Sequence, residues 1–201
     1  MGKIVVLMGM SGVGKDRIRE TLESDIYGYK NIVSYTSRPK RENEVEGVDY
    51  HFVSQEQFNN MIDNNEMIEY RNYETYFGGQ NNIWFYGVKK FIPDKYSNYV
   101  VVMDLEGAES IIRHFGIENC VLIYLTANDN LRRARAIERG SFDKGEWDRR
   151  LLADYKDFSY DKLQNFMNKY KVWEISNEIR GQKAIYEITD VIEFICRGRL
   201  H

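Results

Sequence analysis

The chain has 201 residues, 43% of them hydrophobic and 29% charged, the make-up of one folded domain rather than of a disordered or collagen-like chain. With 28 Lys and Arg against 31 Asp and Glu the formal charge is −3, so no global positive field is present to hold a nucleic-acid backbone. No stretch reaches the ~20 apolar residues of a membrane-crossing helix, and two cysteines far apart, Cys120 and Cys196, make neither a disulfide framework nor a zinc site, which fits a reducing, cytoplasmic setting.

The first apolar run, Ile4 to Met8, is too short for a secretory signal and has no small-residue cleavage site behind it. Its β-branched and aliphatic content makes it a buried strand, as it does for Tyr99 to Met103, Val121 to Leu125 and Lys171 to Ile175. Apolar residues at three- and four-residue spacing predict helices over Arg17 to Leu22, Glu106 to Phe115, Asn128 to Arg139, Trp147 to Met167 and Gly181 to Cys196. Strands alternating with helices imply a mostly parallel sheet covered on both faces.

From about Asn31 to Lys90 that alternation stops, and Tyr50, Phe52, Tyr70, Tyr73, Tyr76, Phe77, Trp84, Phe85 and Tyr86 crowd together. Such aromatics pack across strands, so this stretch reads as an inserted, mostly antiparallel lobe. Ser54 followed by Gln57 predicts a capping box at the start of one short helix inside it. Gly140 to Glu146 is polar and glycine-bearing between two helices, as a mobile lid is.

Directly after the first strand stands Gly9-Met10-Ser11-Gly12-Val13-Gly14-Lys15-Asp16, a G-x-x-x-x-G-K loop running into a helix. Glycines let successive backbone N–H groups turn inward on a phosphate chain, the helix N-terminus adds partial positive charge, and the lysine reaches the terminal phosphates. Where the full motif has a hydroxyl residue for Mg2+, this chain has Asp16. Two readings of that carboxylate stand side by side: a hard oxygen ligand for magnesium, or an acid supporting the helix dipole.

Ser34-Tyr35-Thr36-Ser37-Arg38-Pro39-Lys40-Arg41 places two arginines three residues apart, and forked guanidiniums suit a phosphate monoester better than lysines do. Glu44-Val45-Glu46-Gly47-Val48-Asp49-Tyr50-His51-Phe52 follows, then Asn65-Glu66-Met67-Ile68-Glu69-Tyr70. The phosphate loop, S-x-x-S/T-R-x-x-R, E-x-x-G-x-x-Y-x-F and the later acid resemble, in order and spacing, the guanylate kinase family. The likeness is specific from Lys3 to Tyr70 and looser towards the C-terminus.

The resemblance implies an α/β fold of the phosphate-loop NTPase type: a parallel sheet with helices on both faces, an inserted GMP-binding lobe and a short lid. It divides one domain, 1–201, into a core (1–33 and 91–201), a lobe (34–90) and a lid (about 135–150). It implies ATP at Gly9, Ser11, Gly12, Val13, Gly14, Lys15 and Asp16, with Mg2+ at Asp16. GMP is implied at Ser34, Arg38, Arg41, Tyr50, Glu69, Tyr86 and Asp104. Lys15, Arg135, Arg139 and Arg150 are implied on the transferring phosphoryl group, and Asn177 resembles the family's adenine-side asparagine. The chemistry of Glu69 agrees, because a carboxylate accepts two hydrogen bonds, as guanine's N1–H and amine offer, and adenine has no such donor pair.

The chain departs from the family pattern at Asp16, at Val88, where a hydroxyl residue normally follows Tyr86-Gly87, and at Val102, which replaces an acid. The stretch between Glu69 and Tyr86 is long, and Tyr76-Phe77-Gly78 offers a second register for the tyrosine–glycine step. The expected reaction is ATP plus GMP to ADP plus GDP, with nucleotides as partners, no nucleic acid or membrane, and a monomer or homodimer as the working form. Two alternatives remain at this point: a kinase of the same build acting on another nucleotide or a ribose phosphate, and a silent binding module, which an intact Gly14-Lys15 pair argues against.

Overall fold

The computed structural model describes residues 2–42, 44–77, 80–138, 144–178 and 181–198. It divides into two compact units, Met1–Asn31 with Lys95–His201, and Ile32–Asp94.

The first unit is built on five parallel strands in the order β2-β7-β1-β8-β9: β1 (Ile4–Met8), β2 (Lys30–Asn31), β7 (Tyr99–Val102), β8 (Cys120–Thr126) and β9 (Val172–Ser176). Every residue of β1 is buried, which explains why this strand reads as an unbroken apolar run rather than an alternating one. Val5, Leu7, Ile123 and Leu125 face one way and pack against Ile18 and Leu22 of α1 (Lys15–Glu23) and against Ile185, Ile188, Ile192 and Ile195 of α7 (Gln182–Cys196). Each such aliphatic side chain contributes about 1.5–3 kcal/mol by leaving water.

The opposite face carries Tyr124, whose ring lies 5.8 Å from that of buried Phe158, and α3 (Leu105–Phe115), which buries Leu105, Ala108, Ile111 and Ile112. The expected α/β sheet with helices on both faces is what forms.

The helix expected over Trp147 to Met167 is two helices. α5 (Lys144–Asp157) stops before Phe158, Ser159 leaves the helical conformation at ψ 151°, and α6 (Tyr160–Lys169) begins beyond it. Residues 144–146, read from sequence as part of an irregular lid, belong to α5. α4 (Asp129–Glu138) begins under a cap from Asn128, whose Oδ1 accepts the Leu131 N–H at 2.9 Å.

The second unit holds a four-stranded sheet in the order β4-β3-β6-β5, from β3 (Tyr35–Thr36), β4 (His51–Phe52), β5 (Met67–Phe77) and β6 (Gln80–Lys89). β3 pairs with β4 in parallel, whereas β3–β6 and β5–β6 are antiparallel. Its helix, α2 (Gln55–Asp63), opens on the expected capping box: the Ser54 hydroxyl accepts the Gln57 N–H at 3.1 Å, and the Gln57 side chain accepts the Ser54 N–H at 2.8 Å. Phe58, Met61 and Met67 form a small core of their own. Among the described residues no helix is long and apolar enough to cross a membrane.

Candidate functional site

In the first unit the chain leaves β1 at Met8 and turns through Gly9 to Gly14 into α1. Gly12 adopts φ +80° and Gly14 φ +99°, the left-handed region that favours glycine. Space demands glycine there as well. A Cβ on Gly12 would stand 2.7 Å from the carbonyl oxygen of Arg132, and one on Gly14 would stand 2.7 Å from Nδ2 of Asn177. The Lys15 ammonium donates to the carbonyls of Gly9 at 2.5 Å and Met10 at 3.1 Å, so the loop curls around the lysine.

Asn177, just after β9, is 1% exposed, and its Nδ2 donates to the Val13 carbonyl at 2.7 Å. Arg135 of α4 lies on the same part of the loop: Nη1 donates to the Val13 carbonyl at 3.2 Å and Nη2 to the Asn177 carbonyl at 2.8 Å. The structure thus brings Lys15, Arg135 and Asn177 together around the loop backbone. Asp16 sits exposed in the first turn of α1, and Arg150 is half-buried in α5. Arg139 lies outside the described residues.

Asp104, two residues beyond β7, is the cap of α3, its Oδ1 accepting the Gly107 N–H at 2.6 Å. Burial, with the neighbouring Asp104 charge second, pushes the Asp157 carboxyl above the usual carboxylate range.

Two features of this loop's surroundings have no local signal in the sequence: the inward turn of Arg132, which belongs to the arginine run that resembles the family's lid, and the reach of Asp154. Arg132 is 1% exposed, and an arginine in the run Leu131-Arg132-Arg133 gives no sign that it turns inward. Asp154 accepts the Ser11 N–H at 2.7 Å across 143 positions of sequence, which no local pattern signals.

In the second unit the sheet gathers the other candidates. Arg38 is 5% exposed, and its guanidinium carbon lies 5.7 Å from the ring centres of both Tyr50 and Phe52, within cation–π range. Nη2 of Arg38 pairs with Oε1 of Glu44 at 2.6 Å, and Nη1 donates to the Pro39 carbonyl at 2.8 Å. Burial works against the Arg38 charge, but the hydrogen bond it donates to Glu44 and the neighbouring Tyr86 hydroxyl outweigh it, so the guanidinium is held more firmly protonated than usual. Arg41 is exposed, and its backbone N–H donates to Oε2 of Glu44 at 2.8 Å. Glu44 therefore links both arginines, a role its place in the sequence motif does not spell out. Ser34 is half-buried, its carbonyl accepting the His51 N–H at 2.9 Å.

Tyr86 is ringed by Tyr50 at 5.9 Å and Tyr73 at 5.7 Å, both edge-on. The ladder sets Tyr70 opposite Gly87 and Arg71 opposite Tyr86, with a register shift between Met67 and Glu69. Strand alternation places Glu69, Arg71 and Tyr73 on the side of the sheet that bears Tyr86, and the bulge is a device that re-aims a side chain. Along the same ladder Tyr76 pairs with Asn81, far out on the hairpin, so the Tyr86–Gly87 step is the one that neighbours Glu69. Val88 is 1% exposed and stands opposite Glu69 in the ladder, so a buried apolar side chain takes the place of the hydroxyl there.

The guanylate kinase family model matches residues 1–112. The guanylate kinase of Mesoplasma florum is 34% identical over 201 residues, covering 95% of this chain and 60% of that protein, so the chain spans less than two thirds of that relative's length. The guanylate kinase of Latilactobacillus sakei is 32% identical over 205 residues, covering 96% of this chain and 89% of that protein. The crystal structure of guanylate kinase from Anaplasma phagocytophilum superimposes with a TM-score of 0.65 at 26% identity, covering 98% of this chain and 86% of that one. With a phosphate loop of matching build in one unit and the R-x-x-R and acidic motifs in the other, the chain belongs to the guanylate kinase family.

Proposed function

We propose that the chain transfers the γ-phosphoryl group of ATP to a phosphate oxygen of GMP, giving ADP and GDP. The observation that carries this reading is that each compact unit bears its own cationic cluster of the kind that suits a phosphate: the glycine loop with Lys15 in one, and buried Arg38 with Arg41, Tyr50 and Tyr86 in the other. An enzyme joining two phosphate-bearing substrates needs two such clusters.

The GMP phosphate is already an anion when it attacks the γ-phosphorus. The new P–O bond forms as the bond to the ADP oxygen breaks, and no proton has to be removed. Catalysis then reduces to alignment and charge neutralisation. On this reading the amides of Gly12 to Asp16 and the Lys15 ammonium hold the ATP phosphates. Ser34, Arg38, Arg41 and Tyr50 hold the GMP phosphate, Glu69 accepts from the guanine edge beside Tyr86, and Asp104 orients GMP. Arg135, Arg139 and Arg150 balance the charge of the moving group.

Among the described residues no three His, Cys, Asp or Glu side chains converge on a metal position. Mg2+ in phosphoryl transfer is held by one or two carboxylates together with substrate phosphates and water, and exposed Asp16 beside Lys15 fits that requirement. Magnesium there would screen the phosphate charges. Free Cys120 and Cys196, their thiols pushed up to about 11 by burial, suit a reducing, cytoplasmic compartment.

The test is ADP release measured by enzyme coupling with ATP, Mg2+ and a panel of GMP, dGMP, AMP, CMP, UMP and ribose 5-phosphate. GMP should support turnover well above the others. Turnover with a different acceptor alone would move the assignment to a sister kinase, and no turnover with any would leave a binding module. A binding module without a donor site would also lack the ~2.7 kcal/mol of stabilisation that ATP at a hundredfold excess over Kd confers on a real one.

A further inference from the structure

The phosphate loop is held at one residue by charged groups that the mechanism above does not use. All three polar groups of Ser11 are engaged by side chains more than a hundred positions away. Its N–H donates to Oδ2 of Asp154 at 2.7 Å, its hydroxyl to Oδ1 of Asp154 at 3.1 Å, and its carbonyl accepts from Nη1 of Arg132 at 2.9 Å. Nη1 of Arg132 also reaches Oδ2 of Asp154 at 3.3 Å, and Nη2 pairs with Oδ1 of Asp129 at 2.8 Å. The Tyr155 hydroxyl donates to the other oxygen of Asp129 at 2.5 Å. That bond first, and Arg132 second, hold the Asp129 carboxyl below its usual range.

We propose that Asp154 and Arg132 are positioning residues for the donor nucleotide: they fix the phosphate loop at Ser11 in the shape that receives a triphosphate and tie that shape to α4 and α5. The inference rests on the donor site read above. Three features set this pair apart from an ordinary packing contact.

Arg132 is buried almost completely while its Nε has no hydrogen-bond partner, so its placement serves the contacts of its two terminal nitrogens and not its own full satisfaction. Both members of the pair bond the same loop residue, Asp154 as acceptor and Arg132 as donor. The backbone of Arg132 also abuts Gly12, where no Cβ fits. A carboxylate beside a triphosphate site repels the ligand unless a cation sits against it, and Arg132 supplies that cation. The pair is therefore asymmetric. Removing Asp154 loosens the loop, whereas removing Arg132 also leaves an uncompensated negative charge next to the incoming phosphates.

The experiment measures KM for ATP and GMP separately, and Kd for Mg-ADP by calorimetry, in D154N, S11A, R132M and the double variant R132M/D154N. A hydrogen bond to a charged group sets the scale, so D154N should raise KM for ATP and Kd for ADP about tenfold while KM for GMP stays within about twofold. S11A, which loses only the hydroxyl contact, should shift ADP affinity about two- to threefold. R132M should exceed D154N, and the double variant should bind ADP more tightly than R132M alone.

Unchanged ADP affinity in folded D154N, or KM for both nucleotides rising together, would overturn the proposal. Should D154N not fold, S11A decides, and an unchanged Kd for ADP in that variant overturns it equally. If the wild-type protein fails to phosphorylate GMP, the assignment of the reaction falls while the ADP titrations still decide the role of the pair.

Discussion

Glu44 grips the fork of Arg38, Oε1 to Nη2 at 2.6 Å, and with its other oxygen takes the Arg41 N–H at 2.8 Å. Burial alone would raise the Glu44 carboxyl, but the Arg38 guanidinium and the Arg41 N–H more than offset it, leaving the group below its usual 4.5. A carboxylate depressed in the folded state stabilises the fold above its ordinary pKa and loses that contribution as pH falls through the lowered value. E44Q should therefore be less stable than the wild type by about 2 kcal/mol at neutral pH. Urea unfolding at neutral pH and again well below pH 4.5 measures this, and the gap should narrow at the acid end. A gap independent of pH would mean that the charge of Glu44 does not matter.

The close passage of β5 and β6 gives a second prediction. A Cβ on Gly87 would stand 2.5 Å from the Glu69 carbonyl oxygen, 2.7 Å from Cε of Met67 and 2.9 Å from Cβ of Tyr70. The backbone oxygen is not free to swing aside, so G87A should cost about 1–3 kcal/mol as overpacking and open the hairpin next to Glu69. Amide exchange of the 67–77 and 80–89 strands should quicken relative to β1 and β8. Unaltered exchange would show that the sheet accommodates the methyl group.

Base choice tests Glu69. E69Q keeps the size and one acceptor oxygen but replaces the other with a donor aimed at guanine's own donors. KM for GMP should rise about ten- to a hundredfold, with KM for ATP little changed. An equal rise for both nucleotides would remove Glu69 from the guanine edge.

How far the sequence alone reached follows from where each signal lies. β1, the glycine loop and α1 are contiguous, and their apolar run, glycines and lysine each have a local reason. The Ser54–Gln57 box is equally local, and it formed as read. The break between α5 and α6 escaped because apolar spacing runs on through Phe158 and Phe166, and Ser159 makes no side-chain cap to betray the new start. The two-residue strands β2, β3 and β4 exist only through distant partners. Arg132 and Asp154 have the chemistry of surface residues, and only the fold, by bringing Ser11 between them, makes their burial tolerable. Position within a short motif is legible in sequence; compensation across the fold is not.

Lys15 separates donor from acceptor chemistry. K15A removes the ammonium that closes the loop on Gly9 and Met10 and that, in the proposed reaction, neutralises the transferring phosphates. Turnover should fall at least 10²–10³-fold, about what one positioned charge-stabilising donor contributes. GMP affinity, read by calorimetry, should stay within about threefold, since sites without shared partners act additively. Parallel loss of GMP binding would show that the two cationic clusters are not independent.

The most direct measurement follows the phosphorus itself: ATP labelled at the γ position is incubated with GMP, Mg2+ and the protein, and the nucleotides are separated. The account predicts label in the β position of GDP, appearing in step with unlabelled ADP. Label released as inorganic phosphate, or carried on another acceptor while GMP stays unlabelled, would contradict it.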